Sequence, residues 1–143
     1  MSDLRPDLAA MIVPLGRALM AAEQPVLDRH GISMWGYAVL LGLGAEPTYT
    51  QSALARRIGA DKTRIIPFLD ELQQRGLIRR EPDPADRRVN LVALTDAGRD
   101  TRDRVRYDIQ LAEESVLAPL PAADRTALLR SLRVLYEANR PPD

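Results

Sequence analysis

Two short helical patterns separated by only a few residues constrain this chain most strongly. In the first, Gln51 to Ile58, the residues Leu54, Ala55 and Ile58 fall on one side while Arg56 and Arg57 fall on the other, which is the spacing of a helix with one buried face. Thr50 stands before it as an N-cap and Gly59 after it as a C-cap; a threonine hydroxyl accepts from an unpaired first-turn N–H, and glycine tolerates the left-handed residue that ends a helix. The second pattern runs from Lys62 to about Arg75, with Ile65, Phe68, Leu69 and Leu72 inward, Asp61 as N-cap and Gly76 as C-cap. Two short helices therefore flank a tight turn.

The flanking sequence completes a mainly helical architecture. Leu4, Leu8, Met11, Ile12, Leu15 and Leu19 form one apolar stripe of a first helix. Pro14 and Pro25 each remove a backbone donor within it, so kinks or a break are expected. After Gly31, Ser33 caps a second helix to Ala45 with Trp35, Val39, Leu40 and Leu43 toward one side. Beyond Gly76, Leu77 to Arg80 and the alternating run Val89 to Leu94 read as two strands joined by the turn-rich PDPADRR, an exposed hairpin. Thr95 caps a long fifth helix with the stripe Val105, Ile109, Ala112 and Val116 and the expected pairs Arg99–Asp103 and Asp100–Arg104. Pro119 and Pro121 separate it from a sixth helix carrying Leu128, Leu129, Leu132, Leu135 and Tyr136 on one face. The expected class is mainly α with a small β-hairpin wing. One domain over 1–143 is expected, with 33–95 as a winged helix-turn-helix between terminal helices at 1–30 and 96–143.

Composition excludes several chemistries. With no cysteine there is no disulfide framework, thiolate metal site or catalytic thiol. A single histidine, no glycine-rich phosphate loop and no Asp/Glu/His group at metal-ligand spacing leave an enzyme without parts, so no catalysis, metal or cofactor is expected. The opening MSDLRPDLAA interleaves charge with apolar residues, unlike a signal peptide, and the low-charge run Gly31 to Ala45 is too short to span a bilayer. A cytoplasmic protein without membrane contact is expected.

Twenty basic residues balance twenty acidic ones, so only the distribution of charge is informative. Between Gln51 and Asn90 nine basic residues face six acidic ones, a local excess of three. Lys62 is the sole lysine, so nearly all of this positive charge sits on guanidinium forks suited to phosphates and base edges.

Three stretches in this order, QSALARRIG with DKTRIIPFLDELQQRGLIRR, then DPADRR, then VNLVALTDAGR, resemble the MarR (multiple antibiotic resistance regulator) family of winged helix-turn-helix regulators, and the likeness extends from about Leu8 to Tyr136. The resemblance implies a homodimer joined through its first and last helices, with two winged domains on successive major grooves of a palindromic double-stranded operator. It implies repression relieved by a small aromatic or amphipathic effector bound where the terminal helices meet the winged domain. The apolar stripes at both termini are more than a small winged core readily covers, which fits dimerisation independently.

On that reading Lys62, Thr63 and Arg64, at the start of the second short helix, are candidates for base or adjacent phosphate contacts. Arg64 is the foremost, and its alternative is an exposed residue paired with a carboxylate. Arg87 and Arg88 are candidates for the minor groove or its phosphates, one of them outward and the other bonded to Asp83 or Asp86. Gln51, Ser52 and Arg56 are either phosphate contacts or a solvated face. For the effector, Met11, Leu15, Met20, Trp35, Tyr37 and Phe68 are candidate walls, with His30 or Arg17 meeting an anionic aromatic compound; the alternative is plain core. Pro67 departs from the family pattern and is expected to leave the Thr63 carbonyl unpartnered and to bend the helix in its second turn. The rival function is a winged module that binds protein.

Overall fold

A computed structural model describes residues 4–44 and 46–141. Six helices and a three-stranded antiparallel sheet follow one another as α1 (Leu8–His30), α2 (Met34–Gly42), β1 (Tyr49–Thr50), α3 (Gln51–Ile58), α4 (Ile66–Gln74), β2 (Ile78–Pro82), β3 (Asn90–Leu94), α5 (Asp96–Leu117) and α6 (Ala122–Asn139).

The polar caps anticipated from the sequence set most of the boundaries. Ser33 Oγ accepts the Gly36 N–H, Thr50 Oγ1 that of Ala53 and Thr95 Oγ1 that of Gly98, each at 3.0 Å. Gly31, Gly59 and Gly76 take positive φ at 62°, 72° and 72°, and after each of them the chain turns back to bond the preceding helix, Ile32 N to Leu27 O, Ala60 N to Ala55 O and Leu77 N to Leu72 O. Thr95 also donates its hydroxyl to the Gly76 carbonyl at 2.6 Å, so one side chain caps α5 and ties it to the end of α4.

The sheet order is β1-β3-β2, with Ile78 opposite Leu94 and Pro82 opposite Asn90. The core lies where α2, α3, α4 and the start of α5 close over this sheet. Leu40, Leu54, Leu69, Leu72 and Val92 are at most 1% exposed, joined by Leu27 from the end of α1 and Val105 from α5. Gly98 marks the tightest approach, since a Cβ there would stand 1.9 Å from the Leu77 carbonyl oxygen.

Several boundaries differ from the sequence expectation. Helix α1 begins at Leu8 and leaves Leu4 outside, since Pro6 disfavours helical backbone at Arg5. It then runs unbroken through Pro14 and Pro25. Helix α2 ends at Gly42, and the expected end at Ala45 lies outside the described residues. Strand β1 was not expected; its two residues pair with Val92 and Leu91, far away in sequence. Strand β2 continues to Pro82, at the strand end where a missing N–H costs least. On α5 the expected i,i+4 pairs are replaced. Arg99 bonds Asp96 at 3.0 Å, Arg102 bonds Asp103 at 2.9 Å, and Arg104 reaches only the Asp100 backbone carbonyl. Exposed pairs differ by so little energy that spacing alone does not choose among them.

The largest correction concerns the second short helix. Regular α-helix starts at Ile66 rather than Lys62, and residues 62–65 form a turn ahead of it. Pro67 thus stands in the first helical turn, where its missing N–H was never needed. The proline defines where the helix begins instead of bending its second turn.

Candidate nucleic-acid interface and adjoining cavity

The turn ahead of α4 is held by Asp61. Its Oδ1 accepts the Thr63 backbone N–H at 2.8 Å and the Thr63 hydroxyl at 2.7 Å, while Arg64 N bonds the Asp61 carbonyl at 3.0 Å. The Thr63 hydroxyl and N–H hold the Asp61 carboxyl below the usual carboxylate range, with a further contribution from the Arg64 charge. Lys62, Thr63 and Arg64 are all exposed, and among the described residues Arg64 enters no salt bridge. Ile65 beneath them is 1% exposed and anchors the turn to the core.

The hairpin tip between β2 and β3 is equally well ordered by its aspartates. Asp83 accepts the Ala85 N–H at 2.9 Å, Asp86 accepts the Arg88 N–H at 3.1 Å, and Asp83 N bonds Val89 O at 2.8 Å. The Arg88 guanidinium closes on Asp86 with Nε at 3.0 Å and Nη2 at 3.2 Å, and this holds the Asp86 carboxyl below its ordinary range. Arg87, between the two anchored residues, is exposed and enters no salt bridge among the described residues.

Arg80 fixes the hairpin against the helix. Its Nε donates to Gln73 Oε1 at 2.6 Å and its Nη2 to Asp70 Oδ1 at 2.5 Å, joining β2 to α4. Nothing in the sequence singled Arg80 out, because its two partners sit on another element. Along α3, Ser52 and Arg56 are exposed, whereas Gln51 is buried at 8% exposure. Arg57 lies over the Tyr49 ring at 5.6 Å from its centroid.

Of the residues proposed as effector walls, Trp35 and Tyr37 line one cavity of about 420 Å³ between α1, α2 and α5, together with Met34, Leu41, Ile109 and Gln110. Glu23, Arg106 and Glu113 supply its charge. Met11, Leu15 and Met20 are exposed along α1 and, like Phe68 and Arg17, do not line this space. His30 lies elsewhere too. Its Nε2 stands 2.7 Å from Asp108 Oδ2, joining α1 to α5. Arg75 donates to the His30 and Gly31 carbonyls at 3.2 and 2.8 Å. The end of α1 is therefore bonded to both α4 and α5. Among the described residues no group of His, Asp and Glu is placed to hold a metal ion, and no helix is long and apolar enough to cross a membrane.

Two short helices at the edge of a sheet, followed by a hairpin braced on the second of them, define a winged helix-turn-helix protein. The MarR family model matches residues 32–89. The chain is 29% identical over 111 residues to the putative transcriptional regulatory protein for the hcr operon of Thauera aromatica, covering 78% of this chain and 67% of that protein. It is 30% identical to the PcaV transcriptional regulator of Streptomyces coelicolor, solved in complex with its natural ligand, covering 94% of this chain and 98% of that one with a TM-score of 0.68. It is 26% identical to CouR of Rhodococcus jostii RHA1 bound to p-coumaroyl-CoA, covering 94% and 95% with a TM-score of 0.73. The chain belongs to the MarR family. It spans 60 to 67% of the length of the first four curated relatives it matches, all of them named as transcriptional regulators or repressors.

Proposed function

We propose that this chain is a non-catalytic transcription regulator that binds double-stranded DNA as a homodimer, represses, and is released by a small molecule. The observation that carries the reading is the exposed turn of Lys62, Thr63 and Arg64 beside an arginine-tipped hairpin, with Arg80 bracing the two elements together. A helix start presented in this way fits the major groove, where a guanidinium reads guanine edges, and the Arg87 tip fits the neighbouring minor groove or its phosphates. Ser52, Arg56 and Arg88 are the proposed supporting phosphate contacts. The wall formed by Trp35 and Tyr37 is the proposed effector site, and the ligand complexes of PcaV and CouR support a ligand-responsive regulator.

Dimerisation is supported by apolar side chains that this chain leaves uncovered. Leu8 and Ile12 on α1 are 55% and 57% exposed, and Leu132 and Leu135 on α6 are 53% and 59% exposed. In the proposed assembly 1–30 and 96–143 carry the dimer and 33–95 carries the DNA.

The test is DNA binding at two salt concentrations, with the intergenic region beside the protein's own gene against a scrambled duplex of equal length. Salt-sensitive preference for the intergenic duplex is expected, since each neutralised phosphate releases counterions. Absence of preference at both salts sinks the reading in favour of a protein-binding module. Arg64→Ala is expected to weaken specific binding more than non-specific binding, and Arg87→Ala to weaken both.

A further inference from the structure

The charge inside the α1/α2/α5 cavity has the wrong sign for an anionic ligand. Glu23 enters from α1 and Glu113 from α5, so two carboxyls line one cavity and each acts on the other's charge. Burial, and then the charge and hydrogen bond of Glu113, raise the Glu23 carboxyl above its ordinary value. The other charged or titratable groups on these walls are Arg106 on α5, which is exposed, and Tyr37 on α2, whose hydroxyl feels the Arg106 charge. With both carboxylates ionised, Arg106 compensates only one of them. His30 and Arg17, the cations that the sequence offered to an anion, lie outside this space.

We propose that the cavity binds a small aromatic amine, with its ammonium between the Glu23 and Glu113 carboxylates and its ring against Trp35. The proposal rests on the reading of this cavity as the effector site and names the ligand class. Below the raised Glu23 value, binding displaces the Glu23 proton to solvent, and the arriving ammonium together with Arg106 balances the two carboxylates. An ammonium that takes part in two charge-assisted hydrogen bonds replaces one hydrogen bond between like groups. Trp35 lines the cavity and is 41% exposed, and an indole can stack on a ring or meet a cation. A carboxylate in the same place meets two acidic groups, and its binding requires the uptake of a further proton.

Trp35 is the only tryptophan in the chain, so its fluorescence reports on this cavity directly. The experiment titrates the full chain without DNA, using 2-phenylethylamine and 3-phenylpropanoate, two probes of similar skeleton and opposite charge. The amine is expected to bind at least roughly tenfold tighter at about pH 8, and to weaken as pH falls through the raised Glu23 value, because the Glu23 proton is then harder to displace. At a pH at or below the raised Glu23 value, calorimetry in buffers of different ionisation enthalpy is expected to record release of up to about one proton per amine bound. Glu113→Gln is expected to lower amine affinity by roughly tenfold or more and to abolish the proton release, with an unchanged circular dichroism spectrum verifying the fold. Glu23→Gln gives an independent second variant with the same expectation. Tighter binding of the phenylpropanoate overturns the ligand class and leaves the effector cavity standing. A Trp35 signal that responds to neither probe overturns the ligand class and the effector reading together. Amine binding that does not loosen the intergenic DNA complex supports the ligand class and overturns only its regulatory role.

Discussion

Leu40, Leu54, Leu69 and Val92 are sealed inside the winged core, whereas Leu8, Ile12, Leu132 and Leu135 on the terminal helices stay more than half exposed. Both groups recur at helical or strand spacing, so the pattern alone does not distinguish them. What differs is the availability of a facing surface. Around β3 the helices α2 to α5 and the other two strands close on one another within the chain, while α6 has no buried residue and is tied to α5 by the Glu114–Arg125 pair. Interior residues of the first region therefore govern folding, and apolar residues of the second are free to govern association.

The comparison is tested most severely at Gly98, where the start of α5 passes under the Leu77 carbonyl. Backbone, not a flexible side chain, occupies the space a methyl would need. Gly98→Ala is expected to lose roughly 4 kcal/mol or more of stability, read as a lowered urea midpoint. A loss below about 1 kcal/mol would show that the core yields where close packing says it does not.

Leu132→Arg on α6 is the counterpart. It is expected to leave the helical content of the winged core intact and to weaken the proposed dimer by about 3 kcal/mol, a factor of more than 100 in dissociation constant by sedimentation equilibrium. Cooperative loss of the whole fold at low concentration would instead mean that the two regions form one unit.

Smaller effects belong to single caps. Thr95→Val removes the acceptor for Gly98 N and the donor to Gly76 O, and about 1 to 2 kcal/mol of stability is expected to go with them in thermal melts. Caps of this kind were the most legible part of the fold. Ser33, Thr50 and Thr95, with Gly31, Gly59 and Gly76, act through neighbours within a few positions, so the sequence displays the whole interaction. The helix-turn-helix and the wing were readable for the same reason. Strand β1 was not, because two residues gain strand geometry only from a partner 40 or more positions away. Nor was the start of α4, where Pro67 fits either the first or the second helical turn until the turn held by Asp61 settles the choice. The cavity was least legible. Trp35 and Tyr37 advertise an apolar wall, but Glu23 and Glu113 each look like solvated surface carboxylates until α1 packs on α5.

That packing makes Glu23 the place where the two regions report on each other through pH. Its pKa is raised in the folded chain by burial and by Glu113, so the folded form holds a proton that the unfolded form releases at lower pH. Stability consequently falls as pH rises from the ordinary glutamate value through the raised one, the reverse of a carboxylate held by a cation. Asp61 and Asp86, both with lowered values, act in the opposite sense and at lower pH, so the two windows separate. Tyr37, raised chiefly by its own burial, stays protonated across the Glu23 window. Glu23→Gln is therefore expected to flatten the decline in melting temperature above the ordinary glutamate range while leaving the acid limb unchanged. An unaltered decline would mean that Glu23 is solvated in the folded chain and that α1 is held on α5 through the His30–Asp108 contact rather than through Glu23 and Glu113.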